Sequence, residues 1–203
     1  MRVGSSHGRR IFAALVLTFG LGGAAFAESV KLSIDPQHST VGFRVRHLFT
    51  KVNGQFRAFD GTIDFDAKNL AASKVAVTIK ASSVDTNVEA RDKDLRSKRF
   101  FDVETYPTLT FNGTAITEVT GGSGKIKGLL TMHGVTREIV LDAQYLGSAK
   151  DPWGNQRYGF HAETKINRKD FGMAWNEAIE AGGVLVGDEV EILLDVEAVP
   201  AKP

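Results

Sequence analysis

The residues most suggestive of enzyme chemistry are Asp35, His38 and Ser39, which supply the three side-chain types of a nucleophilic triad. In such a triad the histidine takes the proton of the serine, and the acid orients the histidine. The apolar and polar residues alternate from His38 onward, which predicts a strand, and neighbouring residues on a strand point to opposite faces. His38 and Ser39 then cannot meet, so the spacing argues against a serine hydrolase.

Two glycine patterns also invite a catalytic or nucleotide-binding interpretation. The run Gly121-Gly122-Ser123-Gly124 lacks the spacing of a nucleophile elbow. The pattern Gly122-x-Gly124-x-x-x-Gly128 misses the dinucleotide-binding fingerprint by one residue, and no helical pattern follows it. We therefore expect a flexible hairpin loop here and predict no enzyme activity and no bound cofactor.

Histidines are the remaining candidates for metal chemistry, because the chain contains no cysteine. Those that follow residue 27 are His38, His47, His133 and His161. None is paired at the helical or Cys/His spacing that metal sites use. We predict no metal site, although one assembled in space from distant histidines stays open at this point.

The first 27 residues have the pattern of a secretory signal peptide. Three arginines precede an apolar run over residues 11–21, and Ala25-Phe26-Ala27 is a small-x-small cleavage site. The apolar run is too short to span a bilayer, which needs about 20 residues. We expect cleavage after Ala27 and an exported single domain over residues 28–203.

Loss of this leader changes the charge and limits the partners. The full chain has 25 basic and 24 acidic residues, and removal of the three leader arginines leaves 22 against 24, a net charge of −2. A nearly neutral domain with mixed charges gives no footprint for nucleic acid. Without cysteine there are no disulfides, so the hydrophobic core must stabilise the mature chain.

Alternating apolar residues predict about eight or nine strands joined mostly by short turns. Val41, Phe43 and Val45 share one strand face, and Tyr158, Phe160 and Ala162 share another. Asn53-Gly54 is a hairpin-turn signal between two of these strands. Such an antiparallel meander is all-β and commonly closes into a barrel, whose bore is filled by side chains or holds one small ligand.

One helix interrupts the strands, over about residues 87–98. Thr86 and Glu89 have the spacing of a capping box. Glu89–Lys93, Asp92–Arg96 and Asp94–Lys98 are acid-then-base pairs four residues apart. Phe100 and Phe101 follow directly, and adjacent residues cannot share one face of a regular element. We interpret the segment as a lid or plug on the β structure.

Aromatic residues outnumber polar residues suited to catalysis. Some lie on apolar strand faces, and others lie in the segments between strands, including the irregular stretch that carries Met173 and Trp175. An apolar bore with few polar groups suits a long hydrocarbon ligand. A barrel filled by these same side chains is the alternative, and spacing alone does not separate the two.

Several motifs in order along the chain resemble the YceI family of exported lipocalin-like proteins. They are Asp35-x-x-His38-Ser39-x-Val41-x-Phe43-x-Val45-x-His47, Gly54-x-Phe56, Arg91-Asp92-x-x-Leu95-Arg96-Ser97-x-x-Phe100-Phe101-Asp102 with Tyr106-Pro107 and Phe111, Gly128-x-Leu130-Thr131-x-His133-Gly134-Val135-Thr136, Arg168-x-Asp170-Phe171-Gly172 and Gly187-Asp188-x-Val190. The resemblance covers essentially the whole mature chain. One departure is Lys93-Asp94 before Leu95, where a histidine beside the leucine is expected.

The resemblance implies an eight-stranded antiparallel barrel in the periplasm that binds a polyisoprenoid, such as a quinone or a prenyl lipid, without catalysis. It also implies frequent pairing into homodimers. The candidate ligand-binding residues within the matching motifs are Phe43, Val45, Phe100, Phe101, Phe111 and Phe171. Phe160 and Trp175 are added from their pattern, and Arg91, Asp92 and Asn87 are expected to hold the polar head.

Carriage of the lipid, with transient membrane contact, is the function that the sequence favours, alongside storage or protection of the cargo. Two alternatives remain at this point. One is a stress-response protein of the periplasm whose bound lipid is incidental. The other is a redox partner of a bound quinone, which would need an ionisable pair near the head group, with His47 or His161 as the first candidates.

Overall fold

The computed structural model describes residues 29–178 and 184–202, and it consists mainly of β-strands. The strands are β1 (Val30–Ile34), β2 (Thr40–His47), β3 (Thr50–Phe56), β4 (Phe59–Phe65), β5 (Lys74–Lys80), β6 (Val84–Asp85), β7 (Thr108–Thr120), β8 (Ser123–Met132), β9 (Val135–Lys150), β10 (Gln156–Asn167) and β11 (Val186–Pro200). One α-helix, α1, covers Glu89–Arg96. Short 3₁₀ turns lie at Leu70–Ala72, Ala81–Ser83 and Arg168–Phe171.

The strands form a closed antiparallel barrel, which confirms the predicted fold class. The hydrogen-bonded order is β1-β4-β5-β7-β8-β9-β10-β11, and β1 pairs with β11 to close the ring of eight. The three remaining strands, β2, β3 and β6, lie in line with β1, β4 and β5, and β2 pairs with β11 on the same edge as β1. A closed ring has no unpaired edge strand, so every backbone polar group of its strands can be satisfied within the sheet.

Pairing registers show that three of the barrel walls consist of two strands in line. β1 and β2 run in the same direction along β11 and together form one wall. Their partners β4 and β3, which are consecutive in the chain, form the neighbouring wall. β5 and β6 continue the series, because β5 pairs with β4 while β6 pairs with β3. The interruptions lie at residues 35–39, 57–58 and 81–83. The eleven strands therefore form eight walls of a simple up-and-down meander.

The hydrophobic core lies on the inner face of the barrel. Leu32 is fully buried, and the side chains of Phe59, Ile63 and Phe65 on β4 are at most 8% exposed. Charged and hydroxyl side chains occupy the alternate, outward positions, as the period of two requires. The predicted alternation is confirmed, but the prediction of a turn at Asn53-Gly54 is wrong. Both residues lie inside β3, and the chain turns instead between β2 and β3.

The helix is shorter than predicted and begins differently. Val88 occupies the N-cap position, and no side chain caps the helix. Thr86 is buried and instead donates its hydroxyl and its backbone N–H to the carboxylate of Asp92. The predicted capping box is therefore wrong, because the hydroxyl of Thr86 is hydrogen-bonded to Asp92 and does not cap the helix.

The predicted ion pairs four residues apart are also absent from the described part of the chain. Arg96 instead reaches back to Glu89, with 3.3 Å between guanidinium and carboxylate, and Arg99 reaches Asp94 at 3.2 Å. These exposed pairs contribute little to stability. Packing and backbone hydrogen bonds must therefore hold the helix in place.

Residues 1–27, the predicted signal peptide, lie outside the described residues, and export of the chain stays a prediction. The described part of the chain contains no helix with the length and apolarity that a membrane crossing requires.

Candidate functional site

The inner face of the barrel encloses an apolar bore that consists of two adjoining compartments. The lid compartment lies beneath α1 and residues 97–107 and contains about 1250 Å³ of space that no protein atom occupies, part of it open to solvent. The far compartment lies at the other end and contains about 890 Å³ on the same measure. The residues that line both compartments, and so mark their junction, are Ile34, Val77, Phe111, Leu141, Leu194 and Val196.

Most of the predicted ligand-binding residues lie along this bore. Phe43 and Val45 from β2 line the lid compartment, together with Phe100 and Phe101. Phe111 from β7 lies at the junction of the two compartments. These side chains come from distant parts of the chain, and closure of the barrel brings them together. Whether they contact a ligand stays a prediction.

Phe160 lines the far compartment, where it belongs to a group of four aromatic rings. The ring centre of Phe65 lies 4.8 Å from that of Tyr145, 5.7 Å from that of Tyr158 and 5.3 Å from that of Phe160. Such tilted and edge-to-face pairs stabilise each other beyond their burial. The group narrows this end of the bore.

Glycines in the wall allow two phenylalanine rings to lie flat against it. A Cβ atom on Gly54 would lie 2.2 Å from Cζ of Phe43, its paired residue on β2. A Cβ atom on Gly128 would lie 2.3 Å from Cζ of Phe111. Because neither glycine has a side chain, the rings cover the wall instead of projecting across the bore. The space inside the barrel depends on this arrangement.

Two adjacent phenylalanines close the lid compartment and pack on different partners. The ring of Phe101 meets Phe56 edge-on, with centroids 5.5 Å apart. The ring of Phe100 meets Trp175 edge-on at 5.3 Å. The guanidinium of Arg99 lies 4.0 Å from the centre of the same tryptophan ring. Trp175 thus covers the lid from outside and joins it to the loop that follows β10.

The lid, defined here as residues 87–106, is attached to the barrel by backbone-directed hydrogen bonds. Arg96 donates from Nε to the carbonyl of Ser82 at 3.0 Å and from Nη2 to that of Val84 at 3.0 Å. Arg91 donates from Nε to the hydroxyl of Thr86 at 2.7 Å and from Nη2 to its carbonyl at 2.9 Å. These bonds fix α1 beside β6.

The three residues expected to hold the polar head do not line either compartment. Asp92 is buried and accepts both hydrogen bonds from Thr86, and Arg91 donates to the same threonine. Asn87 is exposed and adopts a left-handed backbone conformation, with φ of 60°, at the turn before the helix. Their roles in this structure are to shape and attach the lid.

Phe171 is 1% exposed, the most buried phenylalanine among the described residues, but it lies in the 3₁₀ turn after β10 and outside the lining of the bore. Its carbonyl lies 3.1 Å from Nδ1 of His133. This contact ties the turn to the β8–β9 hairpin, so Phe171 packs beneath the loop that carries Trp175.

Arg168 belongs to one of the family motifs but was not among the predicted ligand-binding residues. It lines the lid compartment with its side chain 4% exposed. Nε donates to the carbonyl of Gly187 at 2.9 Å, Nη1 donates to those of Met173 and Trp175, and Nη2 donates to Asp188. Burial lowers the pKa of its guanidinium, and the nearby Asp188 carboxylate opposes that shift. The arginine thereby fixes the loop that carries Trp175.

The side chains of the rejected triad are engaged elsewhere. His38 Nδ1 lies 2.8 Å from Asp35, and Ser39 donates its hydroxyl to the carbonyl of Glu197 at 3.1 Å. A hydrogen bond from Arg157 at 2.8 Å holds the pKa of Asp35 at about 2. Between residues 29 and 202, apart from 179–183, no three histidine, aspartate or glutamate side chains come together as a metal site.

Comparison with known proteins agrees with this architecture. The model of the YceI-like domain matches residues 32–198, which is well over half of the chain. The chain belongs to the YceI family. A relative in this family, protein YceI of Salmonella agona, is 43% identical over 192 residues, which cover 94% of this chain and 95% of the relative.

Solved structures share the family fold. BcnA of Burkholderia cenocepacia is 23% identical, with a TM-score of 0.73 over 82% of this chain and 99% of that chain. A polyisoprenoid binding domain from Saccharophagus degradans, implicated in plant cell wall breakdown, is 17% identical, with a TM-score of 0.61 over 85% of this chain and 99% of that chain. At these identities the likeness is one of fold.

Proposed function

We propose that this YceI-family protein binds a polyisoprenoid lipid in the bore of its barrel and carries, stores or protects it. The observation that carries the proposal is the bore itself, which consists of two adjoining compartments with almost entirely apolar walls. The polyisoprenoid binding domain of Saccharophagus degradans has the same fold, which supports a ligand of the same kind for this protein.

The shape of the bore suits a long chain. The lid compartment and the far compartment share six lining residues, so their apolar walls follow one another along the barrel. Strands of about ten residues are about 33 Å long before they tilt. A flexible prenyl tail can extend along such a bore and contact apolar walls over its whole length.

The energetics suit exchange with a membrane. A lipid tail gains about 0.8 kcal/mol per buried methylene in an apolar barrel or in a bilayer. The free energy of the tail is therefore similar in the barrel and in the bilayer. A carrier only has to bind the tail about as favourably as the membrane does. Loading and release then depend on how easily the barrel opens.

The lid is the proposed route of entry. It closes the lid compartment through Phe100 and Phe101, and it is joined to the following loop by the contacts of Arg99 and Phe100 with Trp175. Those ring contacts must separate for a tail to pass. The barrel walls, by contrast, are hydrogen-bonded sheet, and opening them would break many backbone hydrogen bonds at once.

Export to the periplasm forms part of the proposal and rests on the signal peptide pattern of residues 1–27. Binding without catalysis is also proposed. The ionisable side chains among the described residues that line the bore are Arg168, Lys74, His161 and Tyr145, and they do not form a pair poised for proton transfer. His161 is hydrogen-bonded to Asp195 at 2.8 Å.

Lipid analysis of the mature protein tests this proposal. The protein is purified from the periplasm without detergent, its lipid is extracted into solvent, and the extract is analysed by mass spectrometry. One prenyl species in stoichiometric amount is the expected result. An empty barrel, or a random mixture of fatty amides and other amphiphiles, would contradict the proposal and favour the filled barrel or the stress-response interpretation.

A pair of matched variants locates the ligand. Phe101→Asp places a charge beneath the lid, and we expect the purified variant to fold and to lose its lipid. Phe49→Asp makes the same change on a side chain that is 96% exposed at the β2–β3 turn, and it should stay loaded. If both variants retain a full load, the aromatic lining is not the binding site.

A further inference from the structure

We propose that the tip of the β2–β3 hairpin is a membrane anchor. In this proposal the ring of Phe49 enters the interface of an anionic bilayer, and the lid end of the barrel, meaning the end that residues 87–106 close, then lies against the membrane. Docking goes beyond the proposed function, because it does not require a lipid in the bore. Only its use, the exchange of cargo with the membrane, rests on that function.

Phe49 is 96% exposed, more than any other large apolar side chain among the described residues. It lies in the two-residue turn between β2 and β3, beside Leu48, whose left-handed backbone conformation, with φ of 50°, is rare for a branched side chain. Arg46 donates from Nη1 to the carbonyl of Leu48 at 2.9 Å, and the N–H of Leu48 donates to the carbonyl of Leu185 at 3.0 Å. The exposed ring therefore belongs to a turn that hydrogen bonds hold in a strained conformation.

The tip lies at the lid end of the barrel. Val45 on β2 lines the lid compartment, and His47, two residues further on, pairs with Val186, which lines it as well. The side chain of Asn176 donates to the carbonyl of Val186 at 2.7 Å and accepts from its N–H at 3.0 Å. Asn176 directly follows Trp175, so the hairpin tip and the loop that covers the lid lie side by side.

The hairpin carries the charge that an anionic surface attracts. From Thr40 to Phe56 the sequence contains three basic residues, Arg44, Arg46 and Lys51, and no acidic residue. Glu191 on β11 pairs with both Arg44 and Lys51, and three positive charges against one negative charge leave a net charge of +2. Cations near a membrane surface are attracted to anionic lipids, and this attraction adds to the burial of an aromatic ring in the interface.

Other charges at the lid end do not cancel this excess. Residues 87–106 of the lid contain five basic and five acidic residues, so the lid is neutral. Asp188 is close enough to Arg46 for the two charges to interact, but it is also paired with Arg168 at 3.2 Å and with Lys169 at 2.8 Å. The hairpin therefore supplies positive charge directly beside Phe49.

The opposite end of the barrel also has an exposed aromatic ring, but its charge has the other sign. Trp153 is 81% exposed at the β9–β10 turn, beyond the far compartment. The carboxylates that share the guanidinium of Arg157 are those of Asp35, Asp151 and Glu197. With the exposed Lys150, two positive charges face three negative charges, a net charge of −1. An anionic surface repels this end, so the charges select the lid end for docking.

Docking in this orientation places the lid where a lipid tail has to cross. The contact between Phe100 and Trp175 then separates against lipid instead of water. Phe49 does not line the bore, so the anchor changes the rate of exchange and leaves the affinity for the cargo unchanged. Phe49→Asp should therefore exchange its lipid slowly and still reach a full load at equilibrium.

Flotation of the mature protein with vesicles tests the anchor. One set of vesicles is phosphatidylcholine alone, and the other is an equal mixture of phosphatidylcholine and phosphatidylglycerol. We expect binding to the mixed vesicles that weakens at about 1 M salt. Phe49→Ala should lower the partition coefficient about tenfold, whereas Trp153→Ala should not change it.

The outcomes separate docking from the proposed function. Failure of the native protein to bind the mixed vesicles, or equal losses in Phe49→Ala and Trp153→Ala, overturns the anchor and leaves lipid binding in the bore intact. Vesicle binding by protein from which no lipid can be extracted supports the anchor and contradicts the proposed function. A dimer that Phe49→Ala dissociates, without loss of vesicle binding, assigns the tip to an interface between copies of the chain and overturns the anchor.

Removal of one charge at either end tests the orientation. Lys51→Gln should weaken binding to the mixed vesicles about fivefold and leave binding to phosphatidylcholine unchanged. Lys150→Gln removes the same charge at the opposite end and should have no effect. Equal effects of the two substitutions would show a response to net charge alone and overturn docking through the hairpin.

A fluorescent probe on the turn tests insertion directly. The chain has no cysteine, so Thr50→Cys and Lys150→Cys each give one labelling site, and both residues are exposed. A polarity-sensitive dye on the first variant should shift to the blue on mixed vesicles and be quenched by spin-labelled lipid. The same dye on the second variant should not respond. A response at residue 150 alone would place the membrane at the far end and overturn the inference.

Discussion

Gly54→Ala adds one methyl group to the wall of the barrel and should reduce its capacity for cargo. The new Cβ atom would lie 2.2 Å from Cζ of Phe43 and within 2.8 Å of both Cε atoms. All three neighbours belong to one ring, so the ring is what must move. Because the wall lies behind Gly54, the ring of Phe43 can move only inward, into the lid compartment that it lines.

The structure sets the size of the effect. Carbon atoms in contact lie about 3.5 Å apart, so the ring edge must move about 1.3 Å from its 2.2 Å approach. A shift of this size displaces one or two methylene groups of a bound tail. At about 0.8 kcal/mol each, the loss is about 0.8–1.6 kcal/mol, which raises Kd about fourfold to fifteenfold.

Stability should change less than binding. Overpacking costs about 1–3 kcal/mol, but alanine is better than glycine within a strand by about 0.5–1 kcal/mol. The two effects partly cancel, so we expect a loss of about 0–2 kcal/mol in the free energy of unfolding. Urea denaturation measures this quantity, and titration with geranylgeraniol measures the Kd of the same preparation.

A control and a compensating variant make the prediction specific. Gly159→Ala is the control, because the nearest atom to its new Cβ, on Leu146, lies at an ordinary contact distance of 3.5 Å. The double variant Gly54→Ala/Phe43→Ala removes the crowded ring and should recover part of the lost affinity. If Gly54→Ala binds as tightly as the native protein, the flat ring does not set the space in the bore.

Three further predictions concern the lid loop and the charge network. Arg168→Met leaves three backbone carbonyls without their donor and should cost about 2–4 kcal/mol in the free energy of unfolding, measured with urea. Trp175→Ala removes ring contacts that contribute about 1–2 kcal/mol, so the rate of lipid release to vesicles should increase about fivefold to thirtyfold. The control Trp153→Ala, at the exposed β9–β10 turn, should not change that rate. Arg157 holds the pKa of Asp35 at about 2, whereas the carboxyl has a pKa of about 4 in the unfolded chain. The stability that this pair contributes is therefore complete above pH 4, and it is lost as the pH falls from about 4 to about 2. Urea midpoints across this window should fall, and Arg157→Met should reduce the slope.

The outcomes that would contradict these predictions are distinct. Lys169→Met is the control for Arg168→Met, since Lys169 is exposed and shares the partner Asp188. Equal losses in the two variants would show that the ion pair, and not the buried hydrogen bonds, stabilises the loop. Unchanged release from Trp175→Ala would remove the tryptophan from the path of the lipid. A urea midpoint that is flat between pH 4 and pH 2 would exclude a stabilising role for Asp35.

The fold could be predicted from sequence because the alternation of apolar residues directly reports which face of a strand is buried. The inward residues of β4, Phe59, Ile63 and Phe65, are an example. The breaks within three barrel walls could not be predicted in the same way. Asn53-Gly54 has the local chemistry of a turn, but it lies in mid-strand, because Phe43 on the neighbouring strand needs the empty space above the glycine.

The candidate site was only partly predictable, for a related reason. Aromatic residues on apolar strand faces, such as Phe43 and Phe111, line the bore as their pattern predicts. Charged residues on the helix carry no such signal. The charged neighbours of Asp92 predict an exposed position on the helix, but its side chain is buried against Thr86. Arg168 is likewise buried, among backbone carbonyls. Side-chain hydrogen bonds, and not the pattern of neighbouring residues, determine these positions.

The sequence by itself determined the family, the antiparallel strands and the apolar character of the inner face, because each follows from local order or from the period of two. The tertiary structure alone decided that the bore is open and that Arg168, in the wall of the lid compartment, is engaged by the protein itself. An open bore requires Phe43 and Phe111 to lie flat over Gly54 and Gly128, which are on neighbouring strands. Arg168 donates four hydrogen bonds to backbone carbonyls and to Asp188. Both conditions depend on which strands and turns pack together, and the order of the residues does not report that directly.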